Sequence, residues 1–162
     1  MTHATIFDAP RTITVTGAPG TGKTRDVVIP ALAAWPGCCS LAFDVRGELR
    51  DVTAETLEQA GVHVCEIDVA NLCFSNLREL FATTFKTAIF VVGDAPQGLA
   101  EMIAFSTRGI CAGVQMLLIF DDCEIYLTPA AAARLLDGDS GPRILMTTQR
   151  KNYPRGDQHI EK

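Results

Sequence analysis

The sequence predicts an α/β domain in which a mostly parallel sheet forms the middle layer of a three-layer sandwich. Short runs of apolar and β-branched residues alternate along the chain with stretches that have helical spacing. The apolar runs are continuous and do not alternate with polar residues, as expected for strands that are covered on both faces. A glycine-rich segment joins the first run to the first helical stretch, as in parallel β-α-β units with right-handed crossovers.

The individual elements follow from these patterns and from the residues that end them. Three helical stretches are closed by glycines, Gly61, Gly109 and Gly138, which suit the left-handed residue that ends many helices. A weaker helical stretch covers residues 75–85. The predicted helices are 23–34, 53–60, 98–107 and 129–136, and the predicted strands are 12–16, 39–43, 62–67, 88–92, 115–120 and 143–148. The order of the strands in the sheet cannot be read from the sequence.

The length of 162 residues suits one domain with a packed core, and the composition of 48% hydrophobic and 20% charged residues is that of an ordinary globular protein. We predict that residues 1–149 form this domain. Residues 150–162 form a polar C-terminal segment without periodicity, which we expect to be a mobile tail.

Charge and cysteine content restrict the environment and the partners of the chain. The formal charge of −5 repels nucleic acid phosphates and anionic membrane surfaces, so any contact with DNA must be local. No stretch reaches the roughly 18 apolar residues that a membrane-spanning helix needs, so we expect no direct membrane insertion. The six cysteines form no C-x-x-C pair, which predicts free, mostly buried thiols in a reducing, cytoplasmic environment.

The strongest motif is the glycine-rich segment GAPGTGKT, which fits the phosphate-binding P-loop pattern G-x-x-x-x-G-K-[ST] between a strand and a helix. In such loops the backbone N–H groups surround the phosphates, and the helix that follows adds the positive end of its dipole. We expect Lys23 to contact the β- and γ-phosphates and Thr24 to bind Mg²⁺. The predicted ATP-binding residues are Gly17, Ala18, Pro19, Gly20, Thr21, Gly22, Lys23 and Thr24.

A P-loop site also needs an acidic residue at the end of another strand, and the sequence offers two alternatives. The run 115–120 ends in Asp121 and Asp122, where the first carboxylate would serve the metal and the second would polarise the attacking water. The run 88–92 is followed by Gly93 and Asp94, with glycine where the metal carboxylate would stand. The local chemistry favours Asp121 as the metal ligand, because glycine cannot bind a metal through a side chain, but both alternatives stay open.

Polar residues follow two further strands. Asp44 ends the second predicted strand, where it could lie near the γ-phosphate or serve as a turn residue. Thr147, Thr148 and Gln149 end the last predicted strand, where a polar side chain could sense the γ-phosphate.

The residues after the loop resemble the coupling-protein ATPases of conjugation and type IV secretion, which are often called TraG-like. The resemblance rests on the run Val28-Ile29-Pro30-Ala31-Leu32, on Trp35-Pro36-Gly37, and on the turn Asp44-Val45-Arg46-Gly47-Glu48, where the family has D-P-K-G-E. It continues through residues 60–68 to Phe74-Ser75-Asn76-Leu77, which is similar to the family's N-P-L element.

This resemblance implies a RecA-like P-loop ATPase domain that works in DNA transfer. It implies Mg²⁺ and ATP as cofactors, a homo-oligomer, and single-stranded DNA and secretion-system proteins as partners at the inner membrane. Family members also carry membrane helices and an all-helical insertion, which we do not find in this sequence. In the family register, Gly93 and Asp94 take the positions of the metal-binding Asp and the catalytic Glu, so Asp94 is a candidate catalytic residue beside Lys23 and Asp122.

Three functions remain open from the sequence: an ATPase of conjugative DNA transfer, a nucleotide-binding interaction module with little turnover, and a small-molecule P-loop kinase. The kinase is disfavoured because such enzymes carry an arginine-rich lid, whereas the one basic cluster here lies in the C-terminal segment. In an oligomer, a neighbouring subunit could supply an arginine to the site. Candidates for this role are Arg108, Arg134 and Arg143.

Overall fold

The computed structural model describes residues 11–35, 39–44, 47–72, 86–93, 98–99, 116–125, 127–137 and 142–162. Its strands are β1 (Thr12–Thr16), β2 (Cys39–Phe43), β3 (His63–Asp68), β4 (Thr87–Val92), β5 (Met116–Phe120), β6 (Arg143–Thr148) and β7 (Gln158–Glu161). Its helices are α1 (Ile29–Ala34), α2 (Glu48–Gln59) and α3 (Pro129–Leu136). A π-helical turn, Thr24–Val28, precedes α1, and short 3₁₀ turns cover Val69–Asn71 and Cys123–Ile125.

The seven strands form one parallel sheet in the order β3-β4-β2-β5-β6-β1-β7. Alternate residues of the central strands enter two hydrophobic cores: Leu118 and Phe120 of β5 pack in one, and Leu117 and Ile119 in the other. Helix α3 contributes to the first core, and helices α1 and α2 contribute to the second. The predicted three-layer α/β sandwich is therefore confirmed, and the continuous apolar runs are strands buried on both faces.

The six strands predicted from sequence are all present, with ends that differ by at most one residue. The helix predicted at 129–136 is confirmed, and the helix predicted at 53–60 begins earlier, at Glu48. The side chain of Asp44 accounts for this early start, because it accepts hydrogen bonds from the N–H groups of Leu49 and Arg50 at 3.2 and 3.0 Å. The helices predicted at 75–85 and 98–107 lie outside the described residues, apart from residues 98–99 of the second.

The helix predicted at 23–34 is present but begins with a wider turn. Ile29 N–H donates to the carbonyl of Thr24, five residues earlier, before α-helical geometry begins. Pro30 explains the change, because in a regular α-helix its ring would clash with the carbonyl of the residue four positions before it. The wider turn lets the helix that leaves the loop continue past the proline.

The C-terminal segment, which we expected to be a mobile tail, contains a strand that the sequence analysis did not predict. Strand β7 pairs with β1 and extends the sheet by one edge strand. The hydroxyls of β1 hold the segment in place: Thr14 accepts from Gly156 N–H at 2.6 Å, and Thr12 accepts from Asp157 N–H at 2.8 Å. The threonines of β1 thus serve both the core of the sheet and the docking of the chain end.

Because the Thr14 hydroxyl holds the C-terminal segment, we expect Thr14→Val to destabilise the protein. Thr14 is fully buried, so the isosteric change leaves the Gly156 N–H without its acceptor while the packing volume stays the same. We expect a loss of about 1–3 kcal/mol in the free energy of unfolding, measured by urea denaturation. Thr56→Val, at an exposed position of α2, is the control and should change little. Equal losses in the two variants would contradict a role for the hydroxyl.

The described cysteines agree with the predicted free thiols. Cys39 and Cys123 are buried and Cys65 is half-buried, and none of these three forms a disulfide. The other cysteines, Cys38, Cys73 and Cys111, lie outside the described residues. Among the helices that the structure describes, none is both long enough and apolar enough to span a bilayer.

Candidate phosphate-binding site

The predicted phosphate loop, residues 17–24, leaves the C-terminal end of β1 and leads into the helix. Gly17 N–H donates to the carbonyl of Thr148 at 3.0 Å, so the start of the loop is tied to the end of β6. Gly20 and Gly22 have φ angles of 79° and 91°, which only glycine adopts readily. A Cβ atom at Gly22 would also lie 2.5 Å from the Asp26 carboxylate. The glycines of the motif are therefore required by the path of the loop.

Lys23 lies inside the loop and is only 7% exposed. Its ammonium donates to the carbonyls of Gly17 at 2.7 Å and Ala18 at 3.1 Å, which positions Nζ across the concave side of the loop. An ammonium has three N–H donors, and these contacts use two of them. A buried cation held in this way is suited to bind an anion that enters the loop.

Thr24 faces the acidic end of β5. Its hydroxyl lies 3.1 and 3.0 Å from the two carboxylate oxygens of Asp121. Thr147, fully buried at the end of β6, donates to Asp121 at 2.6 Å and accepts from the N–H of Asp122 at 2.8 Å. The hydroxyl of Thr147 thus positions the two aspartates, and a role of Thr147 in sensing the γ-phosphate stays a prediction.

The strand order explains why these residues meet. Strand β6 lies between β1 and β5, so the loop and the acidic turn are two strands apart, or about 10 Å. Strand β4, which precedes Asp94, lies four strands from β1, or about 19 Å. Asp94 itself lies outside the described residues. The order of the strands favours the end of β5 as the acidic side of the site, and the catalytic and metal roles of these carboxylates stay predictions.

The contact between Thr24 and Asp121 suits a magnesium ion that also binds phosphates. Magnesium prefers hard oxygen ligands and is commonly held by one or two protein groups together with substrate phosphates and water. A threonine hydroxyl and a carboxylate that already lie within 3.1 Å fit this donor set. Within the described ranges, no group of three or more His, Cys, Asp or Glu residues could hold a metal ion. In such a site, substrate phosphates and water would supply the other ligands of the ion.

A cavity of about 480 Å³ opens in front of the loop. Three of its lining residues, Arg25, Glu124 and Ile125, were missed by the sequence analysis, because they lie just beyond the loop motif and the predicted strand. Asp122, one of the predicted catalytic residues, also lines it and has a left-handed φ of 52°. The lining residues are Pro19, Gly20, Gly22, Lys23, Thr24, Arg25, Asp122, Glu124, Ile125 and Gln149.

Asp44, which the sequence left between two roles, caps helix α2 with its carboxylate and is 5% exposed. Burial raises its pKa above the ordinary value, while the hydrogen bonds from Arg50 and Leu49 N–H act in the opposite direction. The charge of Asp121 adds to the rise in the pKa of Asp44. The hydrogen bonds of the Asp44 carboxylate fix the start of α2.

Cys123 lies between the two acidic residues of the turn but is not suited to nucleophilic chemistry. Burial raises the pKa of its thiol to about 12, and the charge of Glu124 contributes to the rise. The thiol therefore stays neutral at physiological pH, and the thiolate is the reactive form of cysteine. Cys123 instead packs in the core beneath the turn.

Arg134 and Arg143, the two described arginines that were considered for a neighbour's site, are not among the residues that line this cavity. Arg143 is the first residue of β6, whereas the loop follows the C-terminal end of the neighbouring parallel strand β1. Arg134 lies in the last turn of α3, whose final carbonyls accept hydrogen bonds from Arg11 at the start of β1. Arg108 lies outside the described residues. A role for any of them in the site of another subunit stays a prediction.

Comparison with known proteins supports the resemblance noted in the sequence. Residues 5–83 match the family described as type IV secretory system conjugative DNA transfer. The matched segment contains the phosphate loop and Asp44, and it ends before β5. A comparison with curated proteins found no match. This match covers 79 of the 162 residues, and it supports an assignment of residues 5–83 to the TraG-like coupling-protein family of type IV secretion and conjugative DNA transfer.

Proposed function

We propose that this chain binds ATP with Mg²⁺ on residues 17–24 and hydrolyses it in support of conjugative DNA transfer. The observation that carries the proposal is that Lys23 and Thr24 line one cavity, with Asp121 in contact with Thr24. The Lys23 ammonium is held inside the loop, and the Thr24 hydroxyl meets the Asp121 carboxylate at its side. Phosphoryl transfer depends mainly on positioning and on charge stabilisation, and these groups can supply both.

Each group has a distinct role in this proposal. Lys23 would contact the β- and γ-phosphates, the loop N–H groups would surround them, and Thr24 and Asp121 would hold the metal and its waters. When bound, Mg²⁺ neutralises charge that develops on the phosphate oxygens. Thr147 would keep Asp121 in its orientation through the 2.6 Å hydrogen bond.

The proposed partners are those of the family, because the net charge of the chain does not favour binding to nucleic acid. We propose that single-stranded DNA and secretion-system proteins are its partners, and that copies of the chain form an oligomer that supplies an arginine to each site. With a formal charge of −5, the chain must confine any DNA contact to a local surface. Free thiols and a nucleotide site suit the cytoplasm, and we propose that partners bring the chain to the inner membrane.

A single set of measurements tests the proposal. We expect MgATP to bind and ATP turnover to rise when single-stranded DNA is added. Nucleotide affinity by calorimetry and phosphate release with and without DNA are the readouts. Binding without turnover would indicate a nucleotide-binding interaction module, and phosphate transfer to a small acceptor would indicate a kinase. Absence of MgATP binding would refute the proposal.

A further inference from the structure

Glu124 occupies a fixed place beside the phosphate loop that the sequence did not reveal. It lies in the turn Cys123–Ile125, directly after Asp121 and Asp122, and it lines the same cavity as Lys23 and Thr24. The buried Cys123 anchors this turn in the core. The Leu127 N–H donates to the carbonyl of Cys123 at 2.8 Å, which fixes the backbone on the far side.

The carboxylate of Glu124 is held by groups from two elements. Oε1 accepts from the N–H of Gln149 at 3.4 Å, at the end of β6, and Oε2 lies 4.0 Å from the Cys123 thiol. Gln149 also lines the cavity, so this contact directs the glutamate to the rim that faces the loop. A carboxylate has about four lone-pair sites, so these contacts leave it able to accept a hydrogen bond from water.

Asp122, to which the sequence assigned the water-polarising role, is less suited to it. Its side chain is exposed, whereas that of Glu124 is half-buried. Its backbone is in the left-handed region, and its N–H donates to the Thr147 hydroxyl. Aspartate is also one methylene shorter than glutamate. A base acts best when it is partly shielded from solvent and held within reach of one water molecule.

We propose that Glu124 is the catalytic residue that polarises the attacking water. This inference rests on the proposed ATPase function. The carboxylate accepts a proton from water as the water oxygen forms a bond to the γ-phosphorus. The bond between that phosphorus and the bridging oxygen of ADP breaks, and its electron pair stays on ADP. The proton passes from Glu124 to solvent, and the products are ADP and phosphate.

The test compares Glu124→Gln with the matched control Glu58→Gln, which makes the same change at an exposed position of α2 that does not line the cavity. We expect Glu124→Gln to lower ATP turnover by about 100-fold or more, as is typical for loss of a general base. Its MgATP affinity should stay within about threefold of wild type, because the base acts mainly in the transition state. Glu58→Gln should keep both turnover and MgATP affinity within about threefold of wild type, because Glu58 is not among the residues that line the cavity.

Glu124→Asp is a further variant that distinguishes loss of the base from loss of folding. It keeps the carboxylate on a side chain that is one methylene shorter. It should recover part of the turnover lost in Glu124→Gln. Full turnover in Glu124→Gln, an equal loss in Glu58→Gln, or a larger loss in Asp122→Asn would overturn the assignment. A wild-type chain that binds MgATP without turnover would also overturn it and leave nucleotide binding intact. A chain that does not bind MgATP would refute the proposed function itself.

Discussion

Lys23→Ala is expected to abolish the stabilisation of the protein by MgATP. At about one hundred times its dissociation constant, the nucleotide should stabilise the wild type by roughly 2.7 kcal/mol, seen as a rise in melting temperature. The variant loses the buried ammonium that Gly17 and Ala18 hold inside the loop, and with it the main positive charge for the phosphates. Its fold should persist, because the contacts of the ammonium are confined to the loop.

Lys162→Ala is the matched control for this experiment. Lys162 is also a cation beside the loop, and its ammonium lies 3.2 Å from Asp26 at the start of the helix. It is not among the residues that line the cavity. The control should therefore keep the full MgATP shift. Equal shifts in wild type and Lys23→Ala would refute the assignment of the phosphate loop.

Asp121→Asn is expected to remove most of the magnesium dependence of ATP binding. Asparagine has no charge and one oxygen in place of two, so it weakens the position where Thr24 and Asp121 meet. We expect ATP affinity in Mg²⁺ to fall about 10- to 100-fold, the range seen when groups around a metal are changed. Affinity measured in EDTA should be the same as that of the wild type.

Asp94→Asn distinguishes the two alternatives that the sequence left open. Strand β4 lies about 19 Å from β1, so a carboxylate that follows it should not affect a metal at the loop. The Asp94 variant should thus keep the magnesium dependence of the wild type. The family register would be correct if Asp94→Asn lost the magnesium dependence of ATP binding while Asp121→Asn kept it. In that case Asp121 would not be the metal ligand. ATP affinity measured as a function of Mg²⁺ concentration in each variant distinguishes the two alternatives.

The fold class was predictable because its signals are local. A strand that is covered on both faces needs a continuous apolar run, and residues such as Leu117, Leu118 and Ile119 are buried on opposite sides of one sheet. The loop was predictable for the same reason, because its glycines adopt backbone angles that other residues resist. Six strands were therefore found from patterns within single segments.

Strand β7 and Glu124 were not predictable in this way. The short, half-buried β7 is polar, and threonine hydroxyls of β1, more than one hundred residues earlier, hold the segment beside it. Glu124 has no motif of its own, and its relation to the loop depends on the turn after β5 and on the end of β6. Both positions depend on contacts between distant segments, and local sequence patterns do not predict such contacts.

The sequence by itself determined the α/β architecture, the phosphate loop and the resemblance to coupling proteins. Each of these depends on residues that are adjacent in the chain. Only the tertiary structure decided which acidic strand lies near the loop. Strand order depends on how the helices pack on the two faces of the sheet, and parallel strands that neighbour in space can be far apart in the chain. By placing β6 between β1 and β5, the sheet brings Thr24, Asp121 and Thr147 into contact.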